Sequence, residues 1–390
     1  MIADTLPPPR QLLLACASPA PDRARIAVIL PAITAWEAVA REAEEHGLVP
    51  LVYEGVRGVA GVPAAALSLL RTRYEENGRV VVLLTGELRR LLDAFVAAAM
   101  PVIPYKGPTL ALLAYGSLAR RQFRDLDLLV HPQDLGKAIA TLAACGYRPL
   151  RDFSPAQWHL YRRSQCELTF VGANGVTVEL HWALFPRYYA FSPDLAALWS
   201  RLQPVSVGGR AVPTIAPGDL LLFLCAHGAK HDWCRLEWIA NLAALIARTP
   251  NLDWAAIEGE ARRCGGLRLL HLGVLLAGAW LAAPVPAWLL MQARSDRGAW
   301  ALAAQVRQTF SAPETAETPD DEQQWHPLHL RVRERRRDRL RYALLWAVAP
   351  TIVDFAVVRL PLPLWPLYYL IRPLRLLGRL GNLNGKPGQP

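Results

Sequence analysis

The sequence predicts an α+β fold: a small mixed or antiparallel sheet flanked by N-terminal and C-terminal helical regions. Three observations predict it. Residues 100–131 read MPVIPYKGPTLALLAYGSLARRQFRDLDLLVH, which gives an apolar strand, a tight turn at Lys106-Gly107-Pro108, a helix, a basic loop and a second buried strand. Asn174-Gly175 is a two-residue turn signal between the alternating stretches 165–171 and 176–180, so a hairpin is expected there. On either side, 11–98 and 216–310 carry apolar residues at helical spacing.

In the first helical region, 34–46 opens with Thr34 and Glu37 at the spacing of a capping box. It sets Trp36, Val39, Ala40 and Ala43 on one side and stops at Gly47. Residues 64–74 and 87–100 are two further amphipathic runs, and the whole region reads as a helical lid or support. After the second strand, 134–144 is a helix with Leu135, Ile139 and Leu142 together, and 147–151 is extended. The chain turns helical again at Pro217-Gly218-Asp219, with one or two long helices over 220–248. The run 267–291 is nearly uncharged and long enough to raise a membrane span, but Pro284 and Pro286 interrupt it, so buried helices are expected. The expected organisation is a helical region at 1–98, an α/β core at 99–212 and a helical domain at 213–310. A linker at 311–327, a basic and aromatic helical extension at 328–377 and a disordered tail at 378–390 follow.

The chain has 390 residues, 53% of them hydrophobic and 19% charged, enough for two or three domains with a substantial core. Its formal charge of +10 favours a polyanionic partner: nucleotide phosphate, nucleic acid or an anionic membrane surface. No nucleic-acid motif accompanies the charge, so no specific nucleic-acid binding is expected. The six cysteines lack CxxC spacing, which argues against a zinc ribbon or a disulfide frame. Residues 1–17 do not have the pattern of a signal peptide, so a cytoplasmic protein is expected. Between 331 and 341 there are seven arginines, followed by Trp346, Trp365, Tyr368 and Tyr369. That mixture suits peripheral contact of 328–377 with the inner face of a membrane, the alternative being a helix with a solvated basic face packed onto the body.

Asp125 and Asp127 are two apart on the second strand and project to one face, while Leu126 and Leu128 point to the other. Two carboxylates so close repel, and they are tolerated at a solvated turn or with a hard cation such as Mg²⁺ between them. Glu179 supplies a third carboxylate on a later strand of the same small sheet. Three acidic residues can hold two metal ions, the arrangement that in-line phosphoryl or nucleotidyl transfer uses. Asp125 and Asp127 would bind both ions, and Glu179 would complete the site of the ion that activates an acceptor hydroxyl. Gly107 would let phosphate approach the free amides of the following helix.

The run Tyr105-Lys106-Gly107, Arg121, Asp125-Leu126-Asp127-Leu128-Leu129-Val130 and Val178-Glu179-Leu180-His181-Trp182 resembles the uncharacterised nucleotidyltransferase family of the polymerase-beta-like superfamily. The stretch from Leu224-Cys225-Ala226-His227 to His231, with Trp233, Leu236 and Trp238, and the 372–376 run extend the resemblance over most of the chain. It implies Mg²⁺-dependent transfer of a nucleoside monophosphate from a nucleoside triphosphate to a hydroxyl or phosphate of an unidentified acceptor. Asp125, Asp127 and Glu179 would be the catalytic metal-holding residues, and Lys106, Gly107 and Arg121 would bind nucleotide. Two departures stand out. The superfamily pattern of Gly followed by Gly or Ser is met in letters by Gly116-Ser117, but Ser117 lies eight residues before Asp125, whereas Gly107 has the right setting and is followed by Pro108. Glu179 stands where aspartate is commoner. The missing serine and the basic aromatic C-terminal run motivate a second expectation, a non-catalytic nucleotide- or partner-binding member of the same fold that could associate with a membrane surface.

Arg121 could clamp a triphosphate bidentately and Lys106 could offer a point charge, while Arg120 reads as a solvated loop charge and Arg124 as a partner for Asp125. His227 and His231 are one helical turn apart, but without the HExxH glutamate they are expected to be structural or to face substrate. His181 is expected either to orient Glu179 or to be a satisfied, semi-buried histidine.

Overall fold

Alternation along five short strands builds the sheet. The computed structural model describes residues 6–189, 191–311 and 327–382. β1 (Ile103–Pro104), β2 (Asp125–Leu129), β3 (Tyr147–Pro149), β4 (Glu167–Gly172) and β5 (Thr177–His181) form one mixed sheet in the order β1-β2-β5-β4-β3. Only the central β2–β5 pair is parallel, so its two strands are joined by a long crossover that contains β3, β4 and two helices. The β4–β5 hairpin closes at Asn174-Gly175, where Gly175 has φ +77° and the Asn174 side chain accepts from the Val176 amide.

The register sorts the side chains into two faces. Leu126, Leu128, Leu168, Phe170, Val178 and Leu180 are buried together against Leu84, Leu88 and Phe95 of the Ala64–Ala97 helix and against Leu135 and Leu142 of the Leu135–Ala144 helix. Each buried leucine of this kind contributes about 1.5–3 kcal/mol. The other face carries Asp125 and Asp127 from β2, Glu179 and His181 from β5, and Glu167 from β4. A two-faced sheet with one apolar side therefore turns a polar row toward the second half of the molecule.

That second half is a single apolar cluster drawn from both ends of the chain. Leu12, Val39 and Val52 of the N-terminal helices lie in it with Leu220, Leu245 and Leu272 of the helices after the sheet. Arg10 reinforces the union, with its Nε 3.3 Å from Glu42 and a guanidinium nitrogen donating to the Phe310 carbonyl. Within 267–291 the first helix, Leu267–Leu281, ends at Ala282 with φ +54°, and the next begins only at Ala287, after the two prolines. Leu270, Leu272, Val274 and Leu276 are fully buried, and no helix among the described residues is long and apolar enough to cross a membrane.

Several elements differ from the sequence reading. The runs 64–74 and 87–100 belong to one helix, Ala64–Ala97, because the interruption at Asn77-Gly78 costs only about 1 kcal/mol and Asn77 is buried with Nδ2 near the Arg121 carbonyl. The capping box at Thr34 does not form: the helix is Trp36–Glu45, with Ala35 at its N-cap and no side-chain cap bond. Other elements went unread, among them a helix and a hairpin. The Pro155–Ser164 helix has a complete capping box between Ser154 and Gln157, and β6 (Gln203–Val207) and β7 (Arg210–Thr214) form a second hairpin through Gly208-Gly209, both at positive φ. The linker expected at 311–327 falls almost wholly outside the described residues. The disordered tail expected at 378–390 begins instead within the last helix, Tyr368–Asn382, and its remainder, 383–390, lies outside the described residues.

Candidate functional site

The chain leaves β1 through Tyr105 and Lys106 and enters the Gly107–Tyr115 helix. Gly107 has φ +50°, and a Cβ there would stand 3.4 Å from the Asp125 carbonyl oxygen. The contact would be ordinary, so it is the positive φ that favours glycine at this turn. Gly107→Ala is expected to destabilise the protein by about 1–2 kcal/mol, checked by chemical denaturation; an unchanged midpoint would show that the turn relaxes freely. Gly116 has a different task, ending the same helix in the left-handed conformation at φ +66°. The Gly116-Ser117 pair is thus a helix stop, and the glycine turn beside the carboxylates is Lys106-Gly107.

The parallel register sets Asp127 directly beside Glu179 and Glu179 beside Thr169, so the carboxylates of β2 and β5 share one face. Lys106 Nζ contacts Asp127 Oδ1 and lies 3.9 Å from Glu179 Oε2. His181 Nε2 is 3.3 Å from Asp127 Oδ1 and 3.5 Å from Glu179 Oε2, while its Nδ1 is 3.2 Å from Glu167 Oε2. Asp127 is 2% exposed, and its Oδ2 has no hydrogen-bond partner among the described residues. Asp127, Glu179 and His181 each offer a ligand atom within 4.8 Å of the others. Asp125 lies on the same face but does not join that triad.

Burial and charge oppose each other throughout the cluster. Burial would raise the Asp127 pKa, but the Lys106 ammonium and the His181 ring hold it below the usual carboxylate range. Burial would lower the Lys106 pKa, and Asp127, Glu179 and Asp125 together carry it above the ordinary lysine value. His181 behaves likewise: burial favours the neutral ring, yet Glu167 and Asp127 hold it charged. Asp125 goes the other way, pushed up to about 7 by burial and then by the charge on Asp127, with Lys106 offsetting only part.

A pH dependence follows for the metal-free protein. The unfolded Asp125 carboxyl loses its proton near pH 4, whereas the folded one keeps it to about 7. The folded state therefore binds more protons across that window, and stability falls as pH rises through it. Denaturation of wild type and Asp125→Asn across pH 4 to 7 should show that slope in the wild type and its loss in the variant; parallel curves would remove Asp125 as its source.

The remaining predicted residues are spread around this cluster. Arg121 is tethered, with Nε 3.3 Å from Asn241 Oδ1 and Nη1 3.4 Å from the Gly107 carbonyl, and Tyr115 donates to the same Asn241 oxygen at 3.0 Å. It thereby links the turn to the Leu236–Arg248 helix. Arg120 pairs with Glu54 at 2.9 Å instead of being a free loop charge, and Arg124 is exposed. A small, partly open cavity has Lys106, Glu167, Glu179 and His181 on the sheet side, and Phe223, His227, Lys230 and His231 opposite. The His227 and His231 rings are 4.7 Å apart, and His227 also stacks on Phe223 at 5.4 Å. Burial, then the charges of His231 and Lys106, holds His227 well below the usual histidine range, so it presents a neutral ring. The histidine pair belongs to neither of the metal-capable groups among the described residues.

Three participants were missed in the sequence. Glu167 faces His181 across the β4–β5 ladder, and only the alternation with Thr169 hinted at its face. Tyr105 is fully buried on the cavity wall with its hydroxyl unpartnered among the described residues. Asn241 lies mid-helix in an otherwise apolar run, a buried polar residue that needs partners and finds Tyr115 and Arg121.

No curated protein matches the chain. A lincosamide antibiotic adenylyltransferase, LnuA, with lincomycin bound is 18% identical, with a TM-score of 0.26 over 35% of this chain and 84% of its own. An antigenic nucleotidyltransferase-like protein from Paracoccidioides brasiliensis is 12% identical, with a TM-score of 0.28 over 54% of this chain and 96% of its own. Residues 33–282, more than half of the chain, match the family described as uncharacterised nucleotidyltransferase, and the protein belongs to that family.

Proposed function

We propose that the protein is a Mg²⁺-dependent nucleotidyltransferase that moves a nucleoside monophosphate from a nucleoside triphosphate to a hydroxyl or phosphate of its acceptor. The observation that carries this reading is the buried Asp127 carboxylate, whose Oδ2 has no hydrogen-bond partner among the described residues, beside Glu179 on one sheet face and next to the Gly107 turn. Oxygen donors of this kind fit a hard divalent ion. Asp127 and Glu179 would hold it, with Asp125 next along β2. When bound, such an ion supplies charge neutralisation at the attacking and leaving oxygens.

The chain's own residues do the rest. Lys106 and Arg121 flank the start of the Gly107–Tyr115 helix, where free amides and two cations suit a triphosphate. His181, fixed by Glu167, keeps Asp127 and Glu179 oriented. His227, with its neutral ring across the cavity, faces the space an acceptor would fill.

One observation favours the second reading, a nucleotide-binding member without transfer activity: Lys106 already contacts Asp127 as a structural ion pair would. The two separate in a pyrophosphate-release assay with each nucleoside triphosphate, with and without Mg²⁺, alongside thermal shift. Metal-dependent pyrophosphate release with an added acceptor supports transfer. Nucleotide-induced stabilisation without release under any acceptor tried supports binding alone, and neither effect removes both readings.

A further inference from the structure

We propose that the C-terminal extension is an interfacial membrane anchor for anionic lipid, independent of any transfer chemistry. Eleven of the nineteen large apolar side chains exposed among the described residues fall between 340 and 377, so apolar exposure is concentrated in this one segment. Leu370, Leu374 and Leu377 of the Tyr368–Asn382 helix, at 59%, 66% and 64% exposure, lie at the i, i+4, i+7 spacing of a single helix face. Leu340 and Leu344 form a shorter exposed pair on the Arg336–Val348 helix, which packs against that helix. A face this apolar is costly in water and too short to cross a bilayer, since no described helix qualifies as a span. Lying in the headgroup boundary satisfies both constraints.

Charge selects the partner. Between 328 and 377 there are ten arginines and three acidic residues. The three acids are used by the chain itself. Asp354 is fully buried with Arg372 and Arg375, Glu334 accepts from the Leu267 and Arg268 amides, and Asp338 lies 3.7 Å from Arg337. Arg336, Arg341 and Arg359, by contrast, are exposed and have no ion-pair partner among the described residues. The outer surface therefore offers apolar groups and unpaired cations, which matches anionic headgroups over acyl chains. The segment is also fixed to the body. Tyr342 lies 3.0 Å from His329, whose other ring nitrogen is 2.8 Å from the Lys230 carbonyl, and Lys230 lines the cavity. Docking would thus hold the cleft at a set position relative to the lipid surface.

The test is co-sedimentation of the full chain with phosphatidylcholine vesicles, with and without phosphatidylglycerol, at low and high salt. Wild type should bind the phosphatidylglycerol vesicles and release with salt. The triple change Arg336→Gln, Arg341→Gln, Arg359→Gln should weaken this by on the order of 100-fold. The triple change Leu370→Gln, Leu374→Gln, Leu377→Gln should weaken binding to the phosphatidylglycerol vesicles by at least about 100-fold, with an unchanged melting curve because all three are exposed. No sedimentation of wild type with anionic vesicles at low salt overturns the proposal. Binding that survives the leucine changes overturns it as well, and so does a dimer in size-exclusion chromatography that those changes dissolve while vesicle binding is absent.

Discussion

If the protein is the Mg²⁺-dependent transferase proposed above, Asp127→Asn is expected to reduce nucleotide transfer by on the order of 10³-fold and to abolish stabilisation by Mg²⁺. The residue is the most enclosed carboxylate of the cluster, 2% exposed, and the change keeps its shape while removing its charge. Two consequences follow separately. The carboxylate, whose Oδ2 has no hydrogen-bond partner among the described residues, loses the charge that would attract a cation, so any metal effect on the melting curve should disappear. Lys106 and His181 meanwhile lose their common anion and keep Glu179, at 3.9 and 3.5 Å. Removing one member of a buried ion pair typically costs about 3–5 kcal/mol, and the remaining carboxylate should bring the loss toward the lower end. Thermal denaturation with and without Mg²⁺ reads both effects, and pyrophosphate release reads the third. A variant that folds, retains its response to metal and turns over at the wild-type rate would dismiss Asp127 from the site.

Lys106→Met carries the second large effect, and its sign is unusual. The ammonium contacts Asp127 and lies near Glu179, the place a divalent ion would be attracted to. Two unit charges 4 Å apart near a protein surface repel by about 4 kcal/mol, so a lysine that stays there opposes the metal. Substituting an apolar side chain of similar length should raise Mg²⁺ or Mn²⁺ affinity by about tenfold in calorimetric titration of the nucleotide-free protein. The metal-free variant should melt earlier than wild type, because Asp127 and Glu179 are left with His181 alone. Transfer should nevertheless fall by about 10²-fold or more, since the cation beside the phosphates is gone. Tighter metal binding with slower transfer would place Lys106 as a cation that guards the carboxylates until nucleotide arrives. Unchanged or weaker metal affinity would mean that the ion and the ammonium do not compete.

The local parts of this site were legible because they rest on short-range periodicity. Asp125 and Asp127 share a face by the two-residue repeat of a strand, and the structure keeps them so. The Asn174-Gly175 turn and the break after Leu281 were equally readable, since glycine at positive φ and proline without an amide act on their immediate neighbours. Local signals also misled. Thr34 and Glu37 have capping-box spacing, yet the helix begins at Trp36.

By itself the sequence determined an α+β chain with a strand, glycine turn, helix and paired-aspartate strand, a third carboxylate downstream and a basic apolar C-terminal segment. Tertiary structure alone decided that β2 and β5 are parallel neighbours in a register that sets Glu179 against Asp127. It alone brought Glu167 and His181 to the same face, tied Arg121 to Asn241, and merged the two ends of the chain into one core. The reason is one of range. Periodicity fixes which way a side chain points along its own element, while pairing across a long crossover is chosen by how whole faces bury against one another, and no short stretch of sequence contains that choice.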